Sequence, residues 1–181
     1  MVAVLFLAKI LNMENREFIV DEDLIASTGQ RFCNFLIDFI IRCILLFFTG
    51  IAIALVALLT DNLSLTLWLE NISTLEEYLI GIVLVIIYYA IFEGFFSRSI
   101  GKYITQTIVV NEDGSKPSFK RIMKRTFCRL IPFNHFSFFG YDARGWHDSL
   151  SDTYVVKKKA YDREMRLFKL SIETERKNNN F

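Results

Sequence analysis

Between Phe32 and Leu59 the chain reads FCNFLIDFIIRCILLFFTGIAIALVALL, and residues 43–59 of that run contain almost nothing polar. An amphipathic helix of a water-soluble protein keeps a polar face along its whole length; this one does not. Crossing the hydrocarbon core of a bilayer takes about 20 apolar residues, and the run exceeds that. A second block, Tyr78 to Phe96 (YLIGIVLVIIYYAIFEGFF), carries a single charge and is also long enough to cross. The fold class expected is an all-α membrane protein with two antiparallel transmembrane helices, at about 31–59 and 78–96. Mean hydropathy is only +0.32, because these blocks alternate with strongly charged segments.

The charge pattern orients the spans. The intervening segment DNLSLTLWLENISTLEE holds Asp61, Glu70, Glu76 and Glu77 and no Lys or Arg. Residues 98–129 hold eight Lys or Arg, and residues 141–181 nine more. Basic loops stay on the cytoplasmic side, so the 60–77 loop is expected outside and both termini inside. Within the loop, LSLTLWL alternates as a strand would and reads equally as a short surface helix; Trp68 suits the membrane interface. A net charge of +1 gives no reason to expect a nucleic-acid partner.

A third apolar stretch, Phe127 to Phe139 (FCRLIPFNHFSFF), contains Arg129, Pro132, Asn134 and His135. It is short for a span, and crossing would export the basic tail. It therefore reads as a re-entrant or interfacial element, or a third short membrane helix, at about 119–139. Ahead of it, KPSFKRIMKRTFCRL has the pattern of an amphipathic basic helix entered through Ser118 as N-cap. Lys120, Arg121, Lys124, Arg125 and Arg129 would suit anionic lipid headgroups, and the first four are its candidates for contact with lipid or a partner. YITQTIVV followed by a turn at Asp113-Gly114 reads as a strand, and DTYVVK (Asp152 to Lys157) could pair with it as a small cytoplasmic β element. The organisation is thus a polar N-terminal segment (1–25), a membrane domain (26–158) and a charged tail (159–181), the last a frayed helix or disordered. The polar sequence beginning at Met13 marks residues 1–12 as an expected upstream extension; a native N-terminal peptide containing Val2 to Lys9 would reject that.

Catalytic and metal chemistry find little support. Cys33, Cys43 and Cys128 are odd in number and lie in or beside apolar segments, where free cysteine behaves as a small hydrophobe. Two His and three scattered Cys make no metal set, and no phosphate-cradling loop or activated nucleophile stands out. Neither an enzyme nor a cofactor is expected.

The first span, by contrast, opens with a polar stripe. Arg31, Asn34, Asp38 and Arg42 are spaced 3, 4 and 4 and share one helical face. Asp38 and Arg42 form a potential i,i+4 pair. Such groups near hydrocarbon pair with one another or line a polar cavity. Glu93, near the inner end of the second span, falls at the same depth in an antiparallel pair. The cluster reads as an ion-pair lock between the spans, as a proton or cation path, or as snorkelling side chains. A further polar group, RGWHDSLSDTYVV, carries Arg144, Trp146, His147, Asp148 and Asp152 and by itself reads as a structured cytoplasmic turn.

Taken together, these elements resemble the RDD family of bacterial membrane proteins. Arg31 in QRFCNFLIDFII matches the family's arginine, Asp38 its first aspartate, and Asp148 in RGWHDSLSDTYVV its last. RSIGKYITQTIVVNEDGSKPSFKRIMKRTFCRLIP matches the family's GK-containing stretch, valine pair and DG turn, with TQT at 105–107 where a glycine is often found. The resemblance covers about residues 26–158. It implies three spans, a role in transport and, for some members, sodium–proton exchange, with Arg31, Asp38 and Asp148 as the central residues. An Asp148 folded back beneath the spans would pair with Arg31. The function expected is movement of ions or small solutes by a homo-oligomer; the alternative is a non-transporting anchor with a basic cytoplasmic platform.

Overall fold

The structure, a computed structural model, describes residues 18–132, 137 and 144–179. Helix α1, Thr28–Leu59, is entered through a capping box. Ser27 Oγ accepts from Gln30 N (3.3 Å) and Gln30 Oε1 accepts from Ser27 N (3.1 Å), so two orphan donors of the first turn are satisfied. Helix α3, Thr74–Phe96, begins the same way with Ser73 and Glu76. These are the two helices long and apolar enough to cross a bilayer among the described residues, and no residue in the most apolar 18-residue stretch of α1 is buried. Apolar surface on that scale needs lipid or other chains to cover it.

The alternating LSLTLWL segment is a helix, α2, Leu63–Glu70, capped by Asn62. With no described strand beside it, a strand would leave its backbone groups unpaired, whereas a helix satisfies its own. Trp68 Nε1 donates to Glu76 Oε1 at 2.9 Å, tying α2 to the start of α3.

At the other end of the spans the chain builds a compact layer. Ser97, in the left-handed region (φ 55), ends α3, and Ser99 caps the short helix α4, Ile100–Ile104. Strand β1, Thr107–Asn111, pairs antiparallel with β2, Thr153–Lys157, with Val109 opposite Val155. The expected partnership of the two β-prone runs is therefore formed. The turn after β1 holds Gly114 at φ +71, where an added Cβ would meet the Phe18 ring at 2.5 Å. The two faces of the ribbon are buried for different reasons. Val110 and Val156 join Val20 and Leu24 in an apolar core. Val109 and Val155 pack with Ala26, on the face that also carries Thr107 and Thr153.

Helix α5, Phe119–Cys128, starts at Ser118 as expected, its Oγ accepting from Arg121 N. Ile122, Arg125, Thr126 and Arg129 are buried, while Lys120, Arg121 and Lys124 are exposed. Arg125 thus departs from the outward orientation expected of it: its position is in phase with Ile122, not with its basic neighbours. Of the stretch expected as a re-entrant or third membrane helix, about 119–139, the helical part described is α5, ending at Cys128, and turns follow to Pro132; residues 133–136 and 138–143, including Asn134 and His135, lie outside the described residues, as does the segment before Phe18 with Met13. Helix α6, Trp146–Leu150, precedes β2, and the tail forms a continuous helix, α7, Lys158–Asn179.

Candidate functional site: a buried ionic cluster

The buried residues of α1 are Arg31, Asn34, Asp38 and Ala57, so its polar stripe faces the protein while its apolar faces point outward. That inversion of the soluble pattern brings the stripe against α3, α4, β1 and α6. Glu93 of α3, fully buried, is the centre of one set of ion pairs. Its Oε1 lies 2.7 Å from Lys102 Nζ and 2.7 Å from Arg129 Nη2, and its Oε2 lies 3.3 Å from Arg125 Nε. Asp148 of α6, also fully buried, is the centre of the other: Arg31 Nη1 pairs with Oδ2 and Arg125 Nη1 with Oδ1. Arg125 joins the two sets, and it also donates to Thr153 Oγ1 at 2.6 Å.

Asp38 is handled differently. Its Oδ1 accepts from Tyr88 OH (2.7 Å) and Gly101 N (2.8 Å), and its Oδ2 from Tyr89 OH (3.4 Å). No described cation lies within ion-pairing distance of it. A Cβ at Gly101 would come within 2.6 Å of Asn34 O and 2.9 Å of Asp38 Oδ1, so the glycine is what lets α4 approach α1 this closely. Asn34 donates to Thr107 Oγ1 at 3.0 Å and accepts from Thr105, tying the stripe to β1. Thr105 and Thr107 therefore serve as side-chain donor and acceptor to α1, while Gln106 bonds the Tyr103 carbonyl.

A cavity of about 40 Å³ lies among these groups, lined by residues that include Arg31, Asp38, Tyr89, Lys102, Arg125 and Arg129. Outside the spans the electrostatics are one-sided. Burial alone would push the Asp148 carboxyl up, but the Arg125 and Arg31 guanidiniums outweigh it and hold the group well below the ordinary carboxylate range. Burial pushes His147 well below its ordinary value, Arg125 and Arg129 adding to the effect against the opposing pull of Asp148. His147 Nε2 stands 3.5 Å from Asp148 Oδ1 and is neutral at physiological pH.

Of the residues singled out from the sequence, Arg31, Asp38, Glu93 and Asp148 meet in this one cluster, and the conditional pairing of Arg31 with Asp148 is formed. Arg42 is not part of it. Its Nε donates to the Asp38 backbone carbonyl (3.2 Å), and its guanidinium lies over the Phe39 and Tyr89 rings, each at 5.9 Å. The anticipated Asp38–Arg42 side-chain pair is replaced by the tyrosine bonds to Asp38. Lys120, Arg121 and Lys124 remain on the surface, away from the cluster, while Arg125 is at its centre.

Sequence reasoning did not select Lys102, Tyr88, Tyr89 or Thr153, and it gave Arg129 to anionic headgroups, whereas Arg129 is buried against Glu93. A signal was present for some. Arg125 and Arg129 share the face of Ile122 and Thr126 at 3–4 spacing, and Tyr89 lies one turn before Glu93 on α3. Lys102 sits in the GK dipeptide, but nothing local says that its ammonium turns toward Glu93. The Arg129 guanidinium stacks on Tyr89 at 3.8 Å from the ring centroid, which closes the cluster on the side of the spans.

Among models of protein families, one described as the RDD family matches residues 25–152, more than two thirds of the chain and the whole of the cluster. No curated protein and no solved structure was found to match.

Proposed function

The chain belongs to the RDD family, and on that footing we propose that it is an integral membrane protein that moves an ion or small solute, with Asp38 as the exchanging carboxylate. The observation that carries the reading is the difference between Asp38 and the other two buried acids. Glu93 is held by three cations and Asp148 by two, whereas Asp38 lies on the cavity wall bonded to neutral donors alone. A carboxylate without a fixed counter-charge is the one that can exchange a proton or a cation. Glu93 and Asp148 then hold the scaffold, and Arg31 acts through Asp148.

Helix α1 is about 48 Å long at 1.5 Å per residue, against a hydrocarbon core of about 30 Å. With Leu59 at the outer boundary, the core ends near Phe39. The Arg31–Asp38 stripe then lies at the inner interface, where burying charge costs less than at the membrane centre. In this reading both termini are cytoplasmic, in a bacterial inner membrane. Two helices do not enclose a hydrated path, and transporters of known fold use many more, so the working unit is a homo-oligomer.

The test is cation-driven proton movement in vesicles containing wild type or Asp38→Asn. Flux in wild type that the variant loses while it still folds and inserts supports the reading. No flux above empty vesicles from folded, oriented wild type rejects it.

One observation favours a second reading, a membrane anchor with a basic platform: Lys120, Arg121 and Lys124 form an exposed row on α5 beside the exposed rings of Phe119 and Phe127. Replacing those three by Gln would then reduce the anionic lipid retained by the purified protein; unchanged retention counts against it.

A further inference from the structure

Buried N–H groups are nearly always bonded, and charged ones carry the largest penalty when they are not. In this cluster Arg31 Nη2, Arg125 Nη2 and Arg129 Nη1 are buried and have no hydrogen-bond partner among the described residues, and the acceptors in the same position, Glu93 Oε2 and Asp148 Oδ1, are each held in an ion pair by Arg125. The three arginines are at least nine-tenths buried, come from α1, α5 and the residue ending α5, and line the same cavity of about 40 Å³. The charge of the assembly points the same way. Four cations (Arg31, Lys102, Arg125, Arg129) face three carboxylates (Asp38, Glu93, Asp148), with His147 neutral. One positive charge is left uncompensated in a buried site.

We propose that this cavity binds one small monoatomic anion of the halide class, such as chloride. A single negative charge brings the cluster to neutrality and gives the spare guanidinium donors a common acceptor. Charge selects within the class of anions: one halide completes the balance, whereas a divalent tetrahedral oxyanion overshoots it. About 10–15 Å³ of such space holds one water, so a cavity of about 40 Å³ has room for a halide. A cation is disfavoured by the surrounding arginines. Asp38 on the same wall does not compete for the spare donors, because its oxygens accept from Tyr88, Gly101 and Tyr89. The anion is a bound counter-ion that holds Arg31, Arg125 and Arg129 together, and the proposal stands whether or not the protein transports anything.

The experiment is equilibrium binding of radiolabelled chloride to the purified full-length protein in lipid nanodiscs. Sodium and ionic strength are held constant, with bromide, sulfate or gluconate as competitor. The expected result is saturable binding of one ion per chain, displaced by bromide and not by sulfate or gluconate. Arg31→Lys keeps the charge beside Asp148 but removes the spare Nη2, and should weaken binding roughly tenfold or more. Thermal stability should rise with chloride and not with gluconate, since a ligand that binds the folded state alone stabilises it. Non-saturable uptake by folded wild type would mean that the cavity holds water only, and equal displacement by sulfate that the site does not select a halide; either would overturn the proposal. So would undiminished binding by a folded Arg31→Lys protein. If that variant fails to fold, the wild-type isotherm and its competitors decide.

Discussion

Arg125 and Asp148 form an ion pair in which both side chains are wholly shielded from solvent, and the same guanidinium reaches Glu93 through its Nε. One residue of α5 thereby fixes an acid from the second apolar helix and an acid from the segment before β2. Its neighbour Lys124 points to solvent. Removing one member of a buried ion pair leaves an uncompensated charge in a medium that solvates it poorly.

Arg125→Gln should therefore destabilise the protein by about 3–5 kcal/mol, while Lys124→Gln should stay within about 0.5 kcal/mol of wild type. Thermal unfolding in detergent, monitored by tryptophan fluorescence, measures both. Similar shifts for the two variants would show that α5 is not phased as described.

Arg31 and Asp148 are paired across 117 residues of sequence, so their contributions should be coupled rather than additive. In a double-mutant cycle of Arg31→Gln and Asp148→Asn, the double variant should be more stable than the sum of the singles predicts. The expected coupling lies within roughly 0.5–3 kcal/mol. Additivity would mean that the contact contributes nothing.

Gly101→Ala should destabilise by about 1–3 kcal/mol, the range for forcing extra atoms into a packed site. The obstacle is backbone, Asn34 O at 2.6 Å from the new Cβ, and backbone does not rotate away. Gly81, whose added Cβ would meet nothing within 4 Å, is the control, and Gly81→Ala should leave stability unchanged or slightly raised.

Two groups set the response to acid. His147 is depressed well below 6.5 in the folded protein, and Asp148 well below 3.8. A depressed group contributes stability that is present above its unfolded pKa and is lost as pH falls toward the folded value. Stability should thus be flat above about pH 7 and fall from about pH 6.5, by up to about 1.4 kcal/mol per pH unit for one proton. It should fall more steeply below about pH 4, as Asp148 begins to contribute. His147→Gln should remove the first decline and keep the second; a profile unchanged by that substitution would contradict the burial of His147.

How much of this was legible in the chain depends on the range of the force involved. The two apolar helices, the Ser118 cap, the turn at Asp113-Gly114 and the common face of Arg31, Asn34 and Asp38 follow from block length, the helical repeat and bonds within a single turn. The pairing of β1 with β2 was also readable, because both runs are short and β-branched and lie beside turn residues. LSLTLWL was ambiguous because seven residues satisfy either period, and the absence of a partner strand is a property of the whole fold. Arg125 and Arg42 were misplaced for a related reason. A basic side chain on an amphipathic helix looks surface-bound until a buried carboxylate is known to wait beneath it, and an i,i+4 acid–base pair looks paired until tyrosines compete for the acid.

The sequence by itself determined that the protein carries two lipid-length helices and a polar stripe along one face of the first, because hydrophobic length and helical phase are local properties. Tertiary structure alone decided that Glu93 takes Lys102, Arg125 and Arg129 while Asp148 takes Arg31 and Arg125. It also decided that Asp38 is left to neutral donors. Those pairings act between elements far apart in the chain, and their strength depends on a low dielectric that exists only after the helices and the ribbon have closed over them.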